Sequence, residues 1–139
     1  VKKDLVHLKK RESQIGKEIN QRKVMINKKM ILVNRPIGIP DESTWNLEEE
    51  NIPELTHGQI LIKQKYISLD PAMRGWMNNT KSYIPPVEIG AVMRAGTVGE
   101  VIQVNNNNNF KIGDLVSGWG GVQEYTLTNG EKYKTINDR

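Results

Sequence analysis

Ser68-Leu69-Asp70-Pro71-Ala72-Met73-Arg74-Gly75 brings a carboxylate, a guanidinium and a thioether together over a few residues. The Asp70 carboxylate can accept hydrogen bonds from the free amides of a following turn. Pro71 presets a helical backbone angle at the first helical position, where no amide is needed. Arg74 adds a fixed cation, and Met73 and Trp76 add adaptable apolar bulk. Such a set walls a binding pocket; it supplies no nucleophile with a base beside it, so no catalytic residue is assigned. Asp70 reads first as a cap and only then as a proton donor. Arg74 can pair with a carboxylate of the body as well as with a ligand. Tyr83, ahead of the stiff Ile84-Pro85-Pro86 segment, either faces the pocket or covers the body. Met73, Met77 and Met93 read as gap-fillers before substrate contacts.

Composition excludes other chemistries. The chain has no cysteine and only His7 and His57, so it forms no disulfide, and a thiolate and imidazole zinc site is not expected. A dinucleotide turn needs three spaced glycines between a strand and a helix, so that backbone can approach the pyrophosphate. Gly118-Trp119-Gly120-Gly121-Val122-Gln123 lacks the last glycine and the helix. There is no phosphate loop, no nucleophile elbow and no histidine pair at metal-ligand spacing. His57, beside Gly58, reads as a loop residue.

The elements that must carry these residues are mostly strands. Met30-Ile31-Leu32-Val33 is expected to form a first strand, ending at Asn34-Arg35-Pro36. Trp45, Leu47 and Glu49 alternate as a half-exposed edge strand that stops before Pro53. A long strand should run from Gly58 to Leu69. Gly96 to Val104 reads as another, with Gly96 and Gly99 allowing a bulge or a close backbone approach. Asn105 to Asn109 is expected to be a solvent-exposed connection. Phe110 to Asp114 then reads as a turn into Leu115-Val116-Ser117, made on Gly113 and Asp114, and Val122 to Leu127 alternates up to the Asn129-Gly130 turn signal. Short strands, frequent glycine and little helix predict a mainly β fold, a small barrel or sandwich, with one or two short helices. At 139 residues the chain holds one domain with a usable core.

The net charge of +4 is unevenly spread: residues 1–35 carry 11 Lys or Arg against 3 acidic residues, and the remainder 9 against 13. Residues 1–23 therefore read as a basic N-terminal extension, helical or disordered, and 24–139 as the folded body. Without interleaved aromatics the extension does not resemble a nucleic-acid arm, and no apolar run is long enough to cross a bilayer. The expectation is a cytoplasmic protein in a reducing compartment, with neither nucleic acid nor membrane as partner.

Taken in order, Asn34-Arg35-Pro36, Ser68 to Gly75, Ser82-Tyr83-Ile84-Pro85-Pro86-Val87-Glu88-Ile89-Gly90, Met93-Arg94-Ala95-Gly96-Thr97-Val98-Gly99, Gly113-Asp114 and Gln123-Glu124-Tyr125 carry a further signal. Together they resemble the N-terminal domain of zinc-independent medium-chain dehydrogenases/reductases, in the branch of the alkenal, prostaglandin and curcumin reductases. The resemblance covers roughly Lys23 to Arg139, about four-fifths of the chain.

The resemblance implies a GroES-like, partly open β-barrel forming one wall of a cleft whose other wall is a Rossmann domain carrying NADP(H), outside this chain. The substrate implied is an α,β-unsaturated ketone or aldehyde, or a related quinone, and a homodimer is compatible with it. Asp70, Pro71, Ala72, Met73, Arg74, Tyr83, Gly90, Ala91 and Trp119 are the implied substrate-side residues. Zinc-ligand positions of related alcohol dehydrogenases fall at Leu69-Asp70 and Ala91-Val92, so no metal is implied. Ala72 stands where the family usually carries a tyrosine, which implies a roomier or differently shaped pocket, and Ala91 stands where plant members carry another. Gly121-Val122 stands where they carry Gly-Trp, with Trp119 near enough to fill the gap. By itself this chain is expected to be inactive and to bind NADPH weakly. The alternative is a free-standing β-barrel adaptor that uses its basic extension to engage an acidic partner.

Overall fold

The apolar and β-branched run Ile60–Ile67 forms the strand around which the main sheet is built, in a computed structural model that describes residues 25–136. Its first three residues, Ile60, Leu61 and Ile62, are all buried, as a strand with neighbours on both edges and both faces requires. In chain order the elements are β1 (Ile26–Leu32), β2 (Trp45–Asn51), β3 (Ile60–Ile67), α1 (Met73–Trp76), β4 (Thr97–Val104), β5 (Leu115–Gly118), β6 (Tyr125–Thr128) and β7 (Lys134–Thr135). Five strands pair antiparallel in the order β6-β3-β4-β5-β7, and β1 pairs with β2 in a separate ladder.

The free edge of β1 joins the rest of the body through backbone bonds. Met30 N donates to Val122 O and Met93 N to Met30 O, both at 2.9 Å, and Leu32 N donates to Ala91 O at 3.0 Å. These contacts wrap the two ladders into a barrel that does not close, which agrees with the mainly β, partly open fold expected. Among the described residues no helix is long and apolar enough to cross a membrane. The readings of residues 1–23 lie outside the described residues.

Several boundaries differ from expectation. β1 starts four residues before Met30, because Lys28 and Lys29 pair in register with Glu49 and Glu48 of β2, and opposite charges across a ladder favour its extension. β3 occupies Ile60–Ile67, shorter at both ends than Gly58 to Leu69, since Gly58 takes a positive φ of 85° that strands do not use. β6 starts at Tyr125, leaving Val122 and Gln123 in a connection that bridges to β1. Pro71 lies in the turn ahead of α1 and not at its first helical position, because the helix begins at Met73. Nor is the asparagine tract a purely solvated link. Asn105 Nδ2 donates to Leu55 O at 2.8 Å, and Asn107 Nδ2 donates to Gly58 O at 3.0 Å and Asn129 O at 2.9 Å, which ties three loops together.

Two buried clusters hold the fold. Ile60, Ile62, Val101, Phe110 and Val116 fill the inside of the five-stranded sheet. Leu32, Trp76, Met77, Val87 and Met93 form the second cluster, between β1, α1 and the segment that follows α1. Each fully buried aliphatic side chain contributes about 1.5–3 kcal/mol. Of the two glycines singled out in β4's approach, only Gly99 is needed for close contact. A Cβ there would collide with Ile62 Cγ2 and lie 2.8 Å from the Lys63 carbonyl oxygen, whereas one on Gly96 meets only Ser68 Cβ at 3.8 Å. The pairing register of β3 and β4 shifts on both sides of this crossing, between Leu61 and Ile62 and between Gln64 and Tyr66.

Candidate functional site

The bend after β3 forms as its residue types dictate. Asp70 Oδ1 accepts the Ala72 amide at 2.8 Å, and the Asp70 carbonyl accepts the Met73 amide at 3.0 Å. One helical turn follows, and its last residue, Trp76, is only 7% exposed. Val87 N donates to the Trp76 carbonyl at 2.9 Å. That bond lays the extended Ile84-Pro85-Pro86 segment back across α1.

Trp76 is the floor on which candidate residues converge. Ala72, Met73, Ile84 and Ala91 pack against its cluster, and Trp119 meets its ring edge-on, with centroids 5.7 Å apart and planes at 73°. Ala91 is held in place by its neighbours, its amide donating to Glu88 O at 3.1 Å and its carbonyl accepting Leu32 N. Gly90 provides the turn before it, with φ of 89° and its amide bonded to Leu32 O at 2.8 Å. Trp119 remains 59% exposed, so its ring presents an aromatic face to solvent above a buried one.

Four sequence candidates stand apart from this cluster. Tyr83 is 83% exposed. The Asp70 carboxylate is occupied by its own turn, and Pro71 is exposed beside it. Arg74 is drawn to the other side of α1, where Nε donates to Gly38 O, Nη2 to Pro36 O and Nη1 to Asn78 Oδ1, at 2.9, 2.9 and 2.7 Å. Its partners are carbonyls, not the body carboxylate considered from sequence. All three nitrogens of its guanidinium are engaged.

Arg94 is the residue that sequence reasoning left out of the site. Its guanidinium carbon stands 5.5 Å from the centroid of the Trp76 ring, and Nη2 donates to the Pro85 carbonyl at 2.7 Å. Its other terminal nitrogen, Nη1, is buried with no acceptor among the described residues, as is Trp76 Nε1. The available signal was its place within Met93-Arg94-Ala95, directly after Ala91-Val92.

The connection carrying Trp119 is fixed by side-chain bonds from below. Gly120 N donates to Thr97 Oγ1 at 3.0 Å, Gln123 Nε2 donates to Gly120 O at 2.6 Å, and Asn27 Nδ2 donates to Gln123 Oε1 at 2.9 Å. A Cβ at Gly120 would run into Gln64 Nε2 and Thr97 Oγ1. This glycine is therefore set by packing. The segment leads into β6 and not into a helix. Among the described residues no three His, Asp or Glu side chains gather as metal ligands.

A groove of about 310 Å³ runs between β1, β2 and β3 and is lined by Lys28, Leu47, Lys63 and Lys65 among others. It shares only Val122 with the Trp76 cluster. The Trp76 cluster itself joins apolar and aromatic surface to a guanidinium.

Residues 28–136 match the family described as the N-terminal domain of oxidoreductase. The chain is 39% identical over 112 residues to the NADPH-dependent curcumin reductase of Escherichia coli (strain K12), an alignment covering 81% of this chain and 32% of that protein. It is 32% identical over 106 residues to the NADP(+)-dependent 2-alkenal reductase of Nicotiana tabacum, covering 73% and 30%. The crystal structure of CurA in complex with NADPH from Vibrio vulnificus superposes with a TM-score of 0.73 at 35% identity, covering 81% of this chain and 33% of that one. The chain thus spans about a third of the length of the curated relatives it matches. With the open barrel and the ordered motifs from Asn34 to Tyr125, these matches place the chain in the family of oxidoreductase N-terminal domains, in the zinc-independent curcumin, alkenal and prostaglandin reductase branch of the medium-chain dehydrogenases/reductases.

Proposed function

We propose that this chain is the substrate-side domain of a cytoplasmic, NADPH-dependent, zinc-independent reductase acting on the C=C bond of an α,β-unsaturated ketone or aldehyde, or on a related quinone. The observation that carries the reading is the packing of Ala72, Met73 and Ala91 against the buried cluster that contains Trp76, whose ring Trp119 meets edge-on, in a chain 39% identical to an NADPH-dependent curcumin reductase. The exposed face of Trp119 offers aromatic surface, which favours a planar conjugated ligand by stacking.

In this reading the domain binds and orients, and the cofactor supplies the hydride. NADPH, when bound, would supply the hydride to the β-carbon and leave as NADP+, with a proton from a general acid or solvent completing the saturated carbonyl compound at the α-carbon. Charge developing on the carbonyl oxygen requires hydrogen-bond donors aimed at it. Because residues 118–123 lack the last glycine of a dinucleotide turn and lead into β6, NADPH rests mainly on a Rossmann domain outside this chain. Leu69, Ala91 and Val92 offer no ligand atoms to zinc, and the Asp70 carboxylate already caps its own turn.

The test is a chimera in which residues 28–136 replace the matching segment of the Escherichia coli curcumin reductase. A chimera that binds NADPH and consumes it on addition of an enone, an enal or a quinone supports the reading. One that folds and binds NADPH yet reduces none of the three overturns it.

A further inference from the structure

We propose that residues 15–23 fold back onto the body of this same chain, seating Ile15 and Ile19 in a hollow beside the start of β1 and setting Lys17, Arg22 and Lys23 against the acidic strand β2. The hollow shares no residue with the Trp76 cluster.

β2 is acidic and uncovered. Residues 41–54 hold six Asp or Glu and no Lys or Arg. Every position from Asn46 to Asn51 is exposed, since β2 pairs with β1 alone among the described strands. From that side β1 sets only Lys28 and Lys29 opposite Glu49 and Glu48. The one ion pair of the stretch among the described residues joins Glu50 to Lys29, and Glu42, Glu48 and Glu54 form none there. Carboxylates crowded in this way repel one another, and cations set among them relieve the repulsion. The hollow, of about 280 Å³, lies at the Asn51 end of the strand. Ile52, Pro53, Tyr125 and Leu127 give it apolar and aromatic walls, each with part of its surface open, and Glu50 is the only charged residue lining it.

The place where the chain enters selects the occupant. Ile52 N donates to Met25 O at 2.8 Å, so the residues before Met25 leave the body beside a wall of the hollow. Residues 1–24 carry eight Lys or Arg against three acidic residues, the opposite balance to residues 41–54. Ile15 and Ile19 stand four positions apart, the spacing of neighbours on one helical face. Ile19 precedes Met25 by six positions, no more than about 20 Å of extended chain, so it reaches the hollow without stretching. Exposed ion pairs are individually weak. The tether supplies what they lack, because a short linker presents a segment to its site at effective concentrations on the order of mM.

The chain has no cysteine, so Ser13→Cys gives the full 139-residue chain a single attachment point for a nitroxide. The readout is the broadening of backbone amide signals in proton–nitrogen correlation spectra, compared with the same sample after the nitroxide is reduced. The amides of Glu50, Ile52, Tyr125 and Leu127 should lose about twofold or more of their intensity, as a mostly docked tether implies. Those of Met73 and Trp76, beyond the Leu32 end of β1, should keep theirs. Raising NaCl to about 0.5 M shortens the reach of surface charge and should return most of the lost intensity, as should the pair Glu48→Lys and Glu54→Lys at low salt. Uniform broadening, none at the hollow, or broadening untouched by both salt and charge reversal overturns the inference. So does broadening in a mixture of isotope-enriched chain without nitroxide and unenriched chain with it, which would seat the segment on a second copy.

Discussion

Arg74 Nε donates to the carbonyl oxygen of Gly38 across 36 positions of sequence. With Nη2 on Pro36, the planar fork pins the loop after β1 to the single turn of α1. Lysine offers one point of attachment where arginine offers three. Arg74→Lys should lower stability by about 1–2 kcal/mol, the scale of hydrogen bonds made by a charged donor. Urea denaturation checks this, and an unchanged midpoint would mean that the loop is held by other contacts.

Gly99 and Gly96 make a paired test of the β3–β4 crossing. Gly99→Ala drives a methyl group toward the Lys63 carbonyl and Ile62 Cγ2, and overpacking against backbone costs about 1–3 kcal/mol. Gly96→Ala meets only ordinary van der Waals contact. Thermal melts of the two variants should separate clearly. Equal melting temperatures would show that the strands can part to admit the methyl group.

The two indoles that meet edge-on differ in what they support. Trp76 is buried in the cluster beneath α1, and Trp76→Ala should destabilise by about 3–5 kcal/mol. Trp119 is largely exposed, and Trp119→Ala should cost only the edge-on contact, about 0.5–1.5 kcal/mol, while weakening a planar ligand. A Trp119→Ala chain as unstable as Trp76→Ala would make Trp119 a core residue and not a pocket wall.

Tyr133 packs its ring against Gly118, and burial raises its phenol pKa above the usual 10.0, with a hydrogen bond from Thr126 opposing this in part. A raised pKa means that the folded state prefers the protonated phenol. The corresponding stability is full below the unfolded value near 10.0 and is lost as pH rises through the higher folded value. Tyr133→Phe should remove this loss, giving a flatter decline of the urea midpoint above about pH 10. Identical alkaline profiles for the two chains would assign the decline to other groups.

The sequence alone determined whatever depends on a few neighbouring residues. Asp70-Pro71 had to bend the chain and satisfy its own amides, Gly113 and Asp114 had to turn it, and the run from Ile60 had to extend. Composition ruled out disulfides. The ordered motifs further identified the family. Tertiary structure decided where the side chains beyond these bends are used. Arg74, a plausible ligand contact by type, is spent on carbonyls of the loop after β1. Arg94, unremarked on a loop ahead of β4, reaches Trp76 with one nitrogen left over. Gly120, which resembles part of a phosphate turn, is fixed by Gln64 and Thr97. The physical reason is range: dihedral preference and capping act within a turn, whereas the partner of a long side chain lies wherever strand pairing brings a distant segment.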